Sequence, residues 1–398
     1  MPKKSLFNFE FVSLCIVTFL TLCNVAVFYN FHLYLQSLGI GGKRSGFLIG
    51  VYSLTAMCLY GVASKEITLN NAYKSMLIGI FIVVVCGMAY LFATDFWSLV
   101  LVRVANGIGI FMIMAGCMVL LVAIIPPDQT GMAFSLYSIA MLLPYSIIPS
   151  VSDIIMPFMH SPEHIYLVMA IFLIPAAGVL FAIHRRIGSQ QLAQSPSTAK
   201  GGRLGGEVNN LFRRPVLAVL MVNGVYFVMF AALFFLFKGL AQQRGMNNPG
   251  LFFTMQMGVM ILIRLFCGQI FDKYSKVALV TIAFLLTGLG FGLLWLVCDV
   301  NWILLIAVVF GLGMGLCVPP LNALMYLVTH PRYRGYNANM MMLMVHCGNF
   351  IGPFVGAWII DVGGYDRFLV SAILVATSTS VFFWIANPAR YIHHNGEQ

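Results

Sequence analysis

The stretch LVTIAFLLTGLGFGLLWLV at residues 279–297 contains no charged side chain and no alternation of polar and apolar residues. A transmembrane helix needs about 20 mostly apolar residues, because the hydrocarbon core is about 30 Å thick and each helical residue rises about 1.5 Å. Strands of membrane barrels would instead alternate with a period of two. This stretch therefore predicts a membrane-spanning helix.

Stretches of the same kind recur along the whole chain of 398 residues, of which 61% are hydrophobic and only 9% are charged. Soluble domains are nearer to a quarter charged. We predict an all-α polytopic membrane protein with twelve transmembrane helices. The predicted spans are residues 11–38, 45–63, 75–93, 97–125, 131–158, 164–184, 215–237, 250–271, 277–297, 301–328, 336–360 and 368–387.

The distribution of positive charge predicts the orientation of these spans. Most of the 22 Lys and Arg residues fall in the segments that share a side with both termini. By the positive-inside rule, both termini of a multi-pass inner-membrane (plasma-membrane) protein would then be cytoplasmic. Orientation also explains the net charge of +10 without invoking nucleic acid as a partner.

One long hydrophilic interval divides the chain into two sets of six predicted helices. The predicted organisation is an N-terminal six-helix bundle at 1–186, a cytoplasmic linker at 187–214 and a C-terminal six-helix bundle at 215–398. The linker includes the Ser-, Gly- and Gln-rich sequence SQQLAQSPSTAKGGRLGGE, which is typical of a flexible connection.

The two halves match each other at a shift of 204 residues in their glycine and proline positions. Glycines let helices approach closely, and prolines inside a membrane permit bending. Parallel six-helix repeats related by an axis along the membrane normal are an architecture of secondary transporters. The matching pairs are Gly107 with Gly311, Gly109 with Gly313, Pro127 with Pro331, Gly131 with Gly335, and Pro149 with Pro353.

Three motifs resemble signatures of the major facilitator superfamily. GQIFDK at 268–273 is similar to its cytoplasmic loop signature, and the preceding Arg264 is familiar from efflux-type members. RVANGIG at 103–109 is similar to an arginine-containing signature of proton-coupled members. GNFIGPFVG at 348–356 is similar to the Gly-Pro antiporter motif, which the family usually carries in its fifth helix.

The resemblance covers nearly the whole chain and implies the fold of that superfamily, with two pseudo-symmetric six-helix bundles that work by alternating access. Two departures leave the direction and coupling of transport open. The loop GVASKE at 61–66 has Lys65 where the signature has Asp. The fifth helix keeps Pro144 and Pro149 but lacks the antiporter glycines.

Arg103 is a candidate for both substrate binding and proton coupling. It lies about seven residues inside its predicted span, where an unpaired cation costs several kcal/mol. One interpretation is a cavity cation that stabilises an anionic substrate or biases a proton-carrying group. The other is an arginine that reaches the outer interface or fixes helix packing.

Asp153 and His346 are the candidates for carrying a proton. Asp153 is the acidic residue that lies clearly within a predicted span. His346 lies near the middle of the eleventh predicted span, and an imidazole can titrate near neutral pH. The alternatives are a carboxylate wetted at the outer end of the fifth helix and a neutral histidine bonded to a neighbouring helix.

Neutral polar residues within the spans are candidates for contacts with the substrate. The resemblance implies that helices one, four, seven and ten line the cavity. Hydrogen bonding between helices is the alternative role for each of these residues. The candidates are Asn24, Asn30, Asn106, Asn223, Tyr226 and Asn322.

A third group of residues is predicted to act in gating. Asp272 would lie near the positive N-terminus of the helix that starts at Gly131 and would lock the two halves together; an exposed loop carboxylate is the alternative. Arg264 has a structural role as its alternative. The gating candidates are Arg264, Gly268, Asp272, Gly131, Gly352 and Pro353.

Several function classes find no support in the sequence. It contains no GxxxxGK[ST] loop for an ATP-driven pump, no catalytic triad and no metal-ligand cluster, so we expect neither an enzyme nor a cofactor. The nine cysteines lie in or at the edges of apolar spans without CxxC pairs, so we expect no disulfides.

These observations favour a secondary active transporter that exports a small organic molecule in exchange for protons. The cargo would be a drug, a metabolite or a siderophore-like chelator. The alternative is an uptake permease, by proton symport or facilitated diffusion, for a nutrient such as an organic acid. We expect a monomer whose partners are the substrate, protons and the lipid bilayer.

Overall fold

The computed structural model describes residues 8–63, 66–125, 130–159, 161–187, 211–266, 271, 273–297, 299–330 and 333–391. All regular structure within these ranges is helical, with no strand. The α-helices are α1 (Phe9–Ala26), α2 (Phe31–Ser37), α3 (Gly42–Val62), α4 (Ala72–Ala89), α5 (Phe96–Ile124), α6 (Thr130–Ile155), α7 (His164–Ile171), α8 (Ile174–Ile187), α9 (Arg214–Gln243), α10 (Gly250–Phe266), α11 (Lys276–Leu296), α12 (Val300–Val328) and α13 (Arg334–Ala386). Shorter 3₁₀ segments include Val27–Asn30, Met156–Phe158 and Pro388–Tyr391.

Ten helical segments among the described residues are long and apolar enough to cross a membrane. One of them, Tyr336–Tyr391, has 56 residues and breaks at Gly364, where φ is 71° and ψ is −177°. The apolar helix α10 is shorter, with 17 residues. Taking the two arms around Gly364 separately and adding α10 accounts for the twelve predicted helices, and the all-α polytopic fold is confirmed.

The chain forms two compact units. Unit 1 contains the described residues of Met1–Ile40 and Val51–Ser197, and unit 2 contains those of Gly41–Gly50 and Thr198–Gln398. In unit 1, α4 packs along α5 and α1 packs along α6. In unit 2, α9 packs along α13 and α11 packs along α12.

Acidic residues fix the starts of two long helices. The Asp95 carboxylate accepts hydrogen bonds from the backbone N–H groups of Trp97 at 2.9 Å and Ser98 at 3.0 Å, at the start of α5. The bonds from Ser98 hold the pKa of the exposed Asp95 below its ordinary value. Asp299 accepts from the N–H of Asn301 at 3.0 Å at the start of α12. Both helices therefore begin with a side chain that satisfies otherwise unpaired donors.

The first membrane span of each half ends in the same kind of cap. Gly39 and Gly245 both have φ of 75°, in the left-handed region that favours glycine. Around each, the following backbone N–H reaches back to a carbonyl of the last turn, from Ile40 to Leu35 at 2.9 Å and from Met246 to Ala241 at 3.0 Å. This pair of caps aligns the first and seventh spans at a shift of 206 residues.

The repeated glycines make equivalent close contacts in both units. A Cβ atom on Gly109 would lie 2.9 Å from the carbonyl oxygen of Gly79, and one on Gly313 would lie 3.0 Å from that of Ala283. Gly109 and Gly313 are 204 residues apart, and so are their partners Gly79 and Ala283. The internal repeat is therefore a repeat of helix packing as well as of sequence.

Candidate functional site

Arg103 lies near the start of α5 and is 0% exposed. Its guanidinium carbon Cζ is 4.2 Å from the ring centre of Phe28, 4.5 Å from that of Tyr52 and 5.1 Å from that of Phe31. A planar guanidinium stacks on aromatic faces, and each such contact contributes about 2 kcal/mol where water is excluded. We call Arg103 with Phe28, Phe31 and Tyr52 the arginine box.

A second group of rings supports the arginine box. Phe28 stacks on Tyr166 of α7, with ring centres 4.7 Å apart and planes inclined by 5°, and its ring centre lies 5.4 Å from that of Tyr90, just after α4. All three rings are buried. The box therefore joins the first span to α3, α4, α5 and α7 within unit 1.

The first span is not a continuous α-helix where it meets the arginine box. Phe28 lies in the 3₁₀ segment Val27–Asn30 that separates α1 from α2, and Phe31 follows directly. A short 3₁₀ stretch within a longer helix often marks a hinge. We call Val27–Asn30 the 3₁₀ joint.

Asp153 lies against the same joint from another direction. The hydroxyl of Tyr29 donates a hydrogen bond to Oδ2 of Asp153 in α6, with the oxygens 3.4 Å apart. Tyr29 is 1% exposed, whereas Asp153 is partly exposed. Asp153 is thus bonded to the buried core of unit 1 while part of its own side chain remains exposed.

The other polar candidates in unit 1 are buried. Asn106 donates from Nδ2 to Oδ1 of Asn24 at 3.3 Å, which links α5 to α1. Both side chains are 2% exposed, as is that of Asn30 in the 3₁₀ joint. The structure thus brings Asn24 and Asn106 together as an interhelical pair.

In unit 2, two of the predicted polar candidates bond to backbone carbonyls of neighbouring helices. Asn223 donates to the carbonyl of Met341 at 3.1 Å, and the hydroxyl of Tyr226 donates to that of Met314 at 3.2 Å. Asn322 is exposed on α12. Asn223 and Tyr226 therefore connect α9 to α13 and α12, while Asn322 lies apart from them.

The remaining ionisable candidates of unit 2 are Arg264, in the last turn of α10, and His346 in α13. Both side chains are partly buried. Both residues belong to unit 2, whereas Asp153 belongs to unit 1.

The gating candidates of α13 are tightly packed in unit 2. A Cβ atom on Gly352 would lie 2.9 Å from the backbone nitrogen of Ala232 in α9. One on Gly46, in the first turns of α3, would lie 2.5 Å from the carbonyl oxygen of Pro353. Gly131 is the second residue of α6. The predictions for Gly268 and Asp272 fall on residues outside the described ranges.

The sequence pattern of the family described as Major Facilitator Superfamily matches residues 14–345 and 249–398. The chain belongs to the Major Facilitator Superfamily. Its family and its apolar helical spans make it a multi-pass membrane protein.

Curated relatives of this superfamily member match over a limited region. The multidrug resistance protein MdtH of Yersinia enterocolitica is 32% identical over 98 residues, which cover 24% of each chain. The MdtH protein of Yersinia pestis gives the same figures. The match thus spans about a quarter of the length of these relatives.

Solved transporters share the fold of this superfamily member over nearly its whole length. A variant of the nucleoside transporter NupG superimposes with a TM-score of 0.77 at 14% identity, covering 95% of this chain and 100% of that one. A POT family transporter gives 0.74 at 12% identity, with 96% and 95% covered. A bacterial homolog of the human lysosomal transporter Spinster gives 0.66 at 13% identity, with 97% and 96% covered.

The sequence reasoning missed the aromatic half of the arginine box. Phe28, Phe31 and Tyr52 are unremarkable as single apolar residues in membrane spans. A signal was present in the repeat, because FYNF at 28–31 aligns with FFLF at 234–237 under the shift of the two glycine caps. The polar residues Tyr29 and Asn30 of the first motif correspond to the apolar residues Phe235 and Leu236 of the second.

Proposed function

We propose that this superfamily member is a proton-coupled exporter of small, neutral or weakly anionic organic molecules. The observation that carries the proposal is the composition of its interior. Among the described residues no Asp or Glu is buried, whereas Arg103 is 0% exposed and Lys238 is 7% exposed. This described part of the interior buries cations and amides but no acid that would neutralise a multivalent cation, so it disfavours multivalent cations as cargo.

Asp153 is the proton carrier in this proposal. It is partly exposed near the end of α6, and it is bonded to Tyr29 in the core of unit 1. His346 of α13 is the second candidate for the same role. Arg103 supports coupling through the joint that it shares with Tyr29 and contributes no direct contact with the cargo while it is fully buried.

Export rather than uptake is supported by two likenesses. The loop and helix motifs around Arg264 and Gly352 resemble those of efflux-type members. The local relatives are titled multidrug resistance proteins, and the cargo we propose is correspondingly a drug-like or metabolite-like organic molecule, with siderophore-like chelators in the same class.

The proposed setting is the inner membrane, with both termini cytoplasmic and the monomer as the transporting species. The excess of Lys and Arg on the terminal side supports this orientation. The proposal assigns a gating role to Arg264, Gly268, Asp272 and Gly131.

Everted membrane vesicles with an imposed pH gradient test the function. A panel of labelled neutral and weakly anionic drug-sized compounds is offered to vesicles with and without the transporter. We expect accumulation of at least one compound that collapses when the gradient is dissipated. Asp153→Asn should remove the accumulation, while Asp95→Asn, the same chemical change at an exposed helix cap, should not.

Accumulation only in right-side-out vesicles would instead indicate the uptake permease. Flux that is indifferent to the pH gradient would contradict proton coupling and indicate a uniporter.

A further inference from the structure

The two units provide an internal comparison for the 3₁₀ joint. The glycine caps align Phe28 to Phe31 with Phe234 to Phe237, so that Tyr29 corresponds to Phe235 and Asn30 to Leu236. In unit 2 this region is continuous α-helix within α9. The fold therefore accommodates an unbroken helix at this place. Of these two equivalent spans, the first is the one that a 3₁₀ segment interrupts.

The partners of the joint differ between the units in the same way. At the shift of 204 residues, Arg103 corresponds to Ala307 and Asp153 to Ala357. Ala307 is 0% exposed and Ala357 is 1% exposed. Unit 2 thus replaces both charged partners with small buried side chains, and its corresponding helix is unbroken.

In unit 1 the joint is held from two sides by different chemistry. On one side, Phe28 lies under the guanidinium of Arg103, a group that stays charged at every physiological pH. On the other, Tyr29 donates to Asp153, a group that can gain or lose a proton. One side is therefore constant, and the other depends on protonation.

The strength of the second contact changes with the charge of Asp153. A hydrogen bond to a carboxylate is about twice as strong as one to a neutral acceptor. When Asp153 takes up a proton, Tyr29 loses the charged acceptor while the arginine box keeps its cation. The joint is then held mainly through Phe28 and Phe31.

Other titratable groups lie on or beside the elements that carry Tyr29 and Asp153. His32 of α2 directly follows Phe31, and its Nε2 lies 3.3 Å from Nε2 of Gln36. Tyr137 of α6 accepts a hydrogen bond from Thr18 of α1 at 3.0 Å, beside Cys15 and Cys117. Glu163 accepts from Ser161 at 2.8 Å. From the joint itself, Tyr29 is the titratable residue, and it faces Asp153 directly.

We propose that Tyr29 is a positioning residue that couples the protonation of Asp153 to the conformation of the 3₁₀ joint, with the arginine box as the fixed anchor. This inference rests on the proposed proton coupling, and it adds the element of the fold that responds. The joint is ordered when Asp153 is charged and loosened when Asp153 is neutral.

Hydrogen–deuterium exchange of the purified full-length transporter tests the coupling without knowledge of the cargo. Exchange of the backbone amides at 27–31 is followed across a pH series and corrected for intrinsic rates. We expect wild-type protection to fall as the pH falls. Asp153→Asn, which mimics the neutral acid, should exchange about 3- to 10-fold faster than wild type at neutral pH and should show no pH dependence.

Tyr29→Phe introduces the residue that unit 2 carries at the same place and should also remove the pH dependence. Adding Asp153→Asn to Tyr29→Phe should then change nothing further. Two controls make matched changes elsewhere, Tyr34→Phe on the next turn of the same span and Asp95→Asn at the cap of α5, and both should retain the wild-type profile. Because Tyr29→Phe and Asp153→Asn preserve side-chain size, both variants should be monodisperse.

Two outcomes would overturn the inference: equal protection of the joint in wild type and Asp153→Asn at every pH, or a wild-type pH profile in Tyr29→Phe. Failure of the proposed function looks different, because it is read in vesicles as flux that ignores the pH gradient. Proton-driven flux with an unresponsive joint would retain the function and reject the role of Tyr29.

Discussion

Gly107 and Gly311 occupy equivalent places in the two units, each pressed against a backbone carbonyl. A Cβ atom on Gly107 would lie 2.5 Å from the carbonyl oxygen of Tyr52, and one on Gly311 would lie 2.7 Å from that of Gln256. Tyr52 and Gln256 are themselves separated by 204 residues. The repeat has kept the close approach of the helices while its side chains have diverged.

Adding a methyl group at either glycine should destabilise the protein. We expect Gly107→Ala and Gly311→Ala each to cost about 1–3 kcal/mol, because a backbone carbonyl cannot move aside as a flexible side chain can. Thermal unfolding in detergent measures the effect. Gly178→Ala, at a position with no heavy atom within 4 Å of the added Cβ, should be nearly neutral. Unchanged unfolding of Gly107→Ala would show that the helices do not approach as described.

The cap after α2 gives a second stability prediction. Gly39→Ala places a side chain at φ of 75° and should lower stability by about 1–2 kcal/mol. Gly41→Ala is the matched control, since Gly41 has ordinary backbone geometry and open space around it. The two variants are compared by midpoint of thermal unfolding. If they unfold together, the left-handed cap is not a constraint.

The arginine box predicts that charge alone cannot replace Arg103. Arg103→Lys keeps the cation but loses the planar group that stacks on Phe28 and Tyr52, so transport should fall at least 10-fold. Arg103→Ala leaves a cavity as well and should also lower the unfolding temperature. Arg390→Lys, at an exposed position, is the control for the Arg-to-Lys substitution itself. Full activity in Arg103→Lys would show that a positive charge at position 103 is sufficient and that stacking on the rings is not required.

Much of the fold was predictable from the sequence because its causes are local. Each span is an apolar stretch of bilayer length, and the repeat is visible in glycine and proline positions. The tight break at Gly364 was also foreshadowed, since a predicted gap separates 336–360 from 368–387. By contrast, the 3₁₀ joint was not predictable, because the residues 27–30 have no proline or glycine that would interrupt a helix.

The candidate site was predictable in its members but not in its pairings. Scarcity of charge within the spans singled out Arg103 and Asp153. The bond between Tyr29 and Asp153 joins residues 124 positions apart, and the rings around Arg103 come from separate helices. Such partners are set by helix packing, which hydropathy and spacing do not specify.

The two proton-carrier candidates should separate by pH profile. Asp153→Asn should leave transport independent of pH, whereas His346→Gln should change its rate with the pH dependence intact. Initial rates of gradient-driven flux across a pH series provide the measurement. The opposite pattern would place the proton site at His346 in α13 instead of Asp153 in unit 1. If both variants kept the pH dependence of wild type, a uniporter would be indicated.

The most direct test of proton-coupled export measures proton movement driven by the cargo itself. Purified transporter is reconstituted into liposomes that contain a pH-sensitive dye, and a gradient of a compound accumulated by everted vesicles is imposed without any initial pH difference. We predict that wild type moves protons against the direction of the compound and that Asp153→Asn, otherwise folded, does not. Cargo flux in wild type with no proton movement would contradict the proposal.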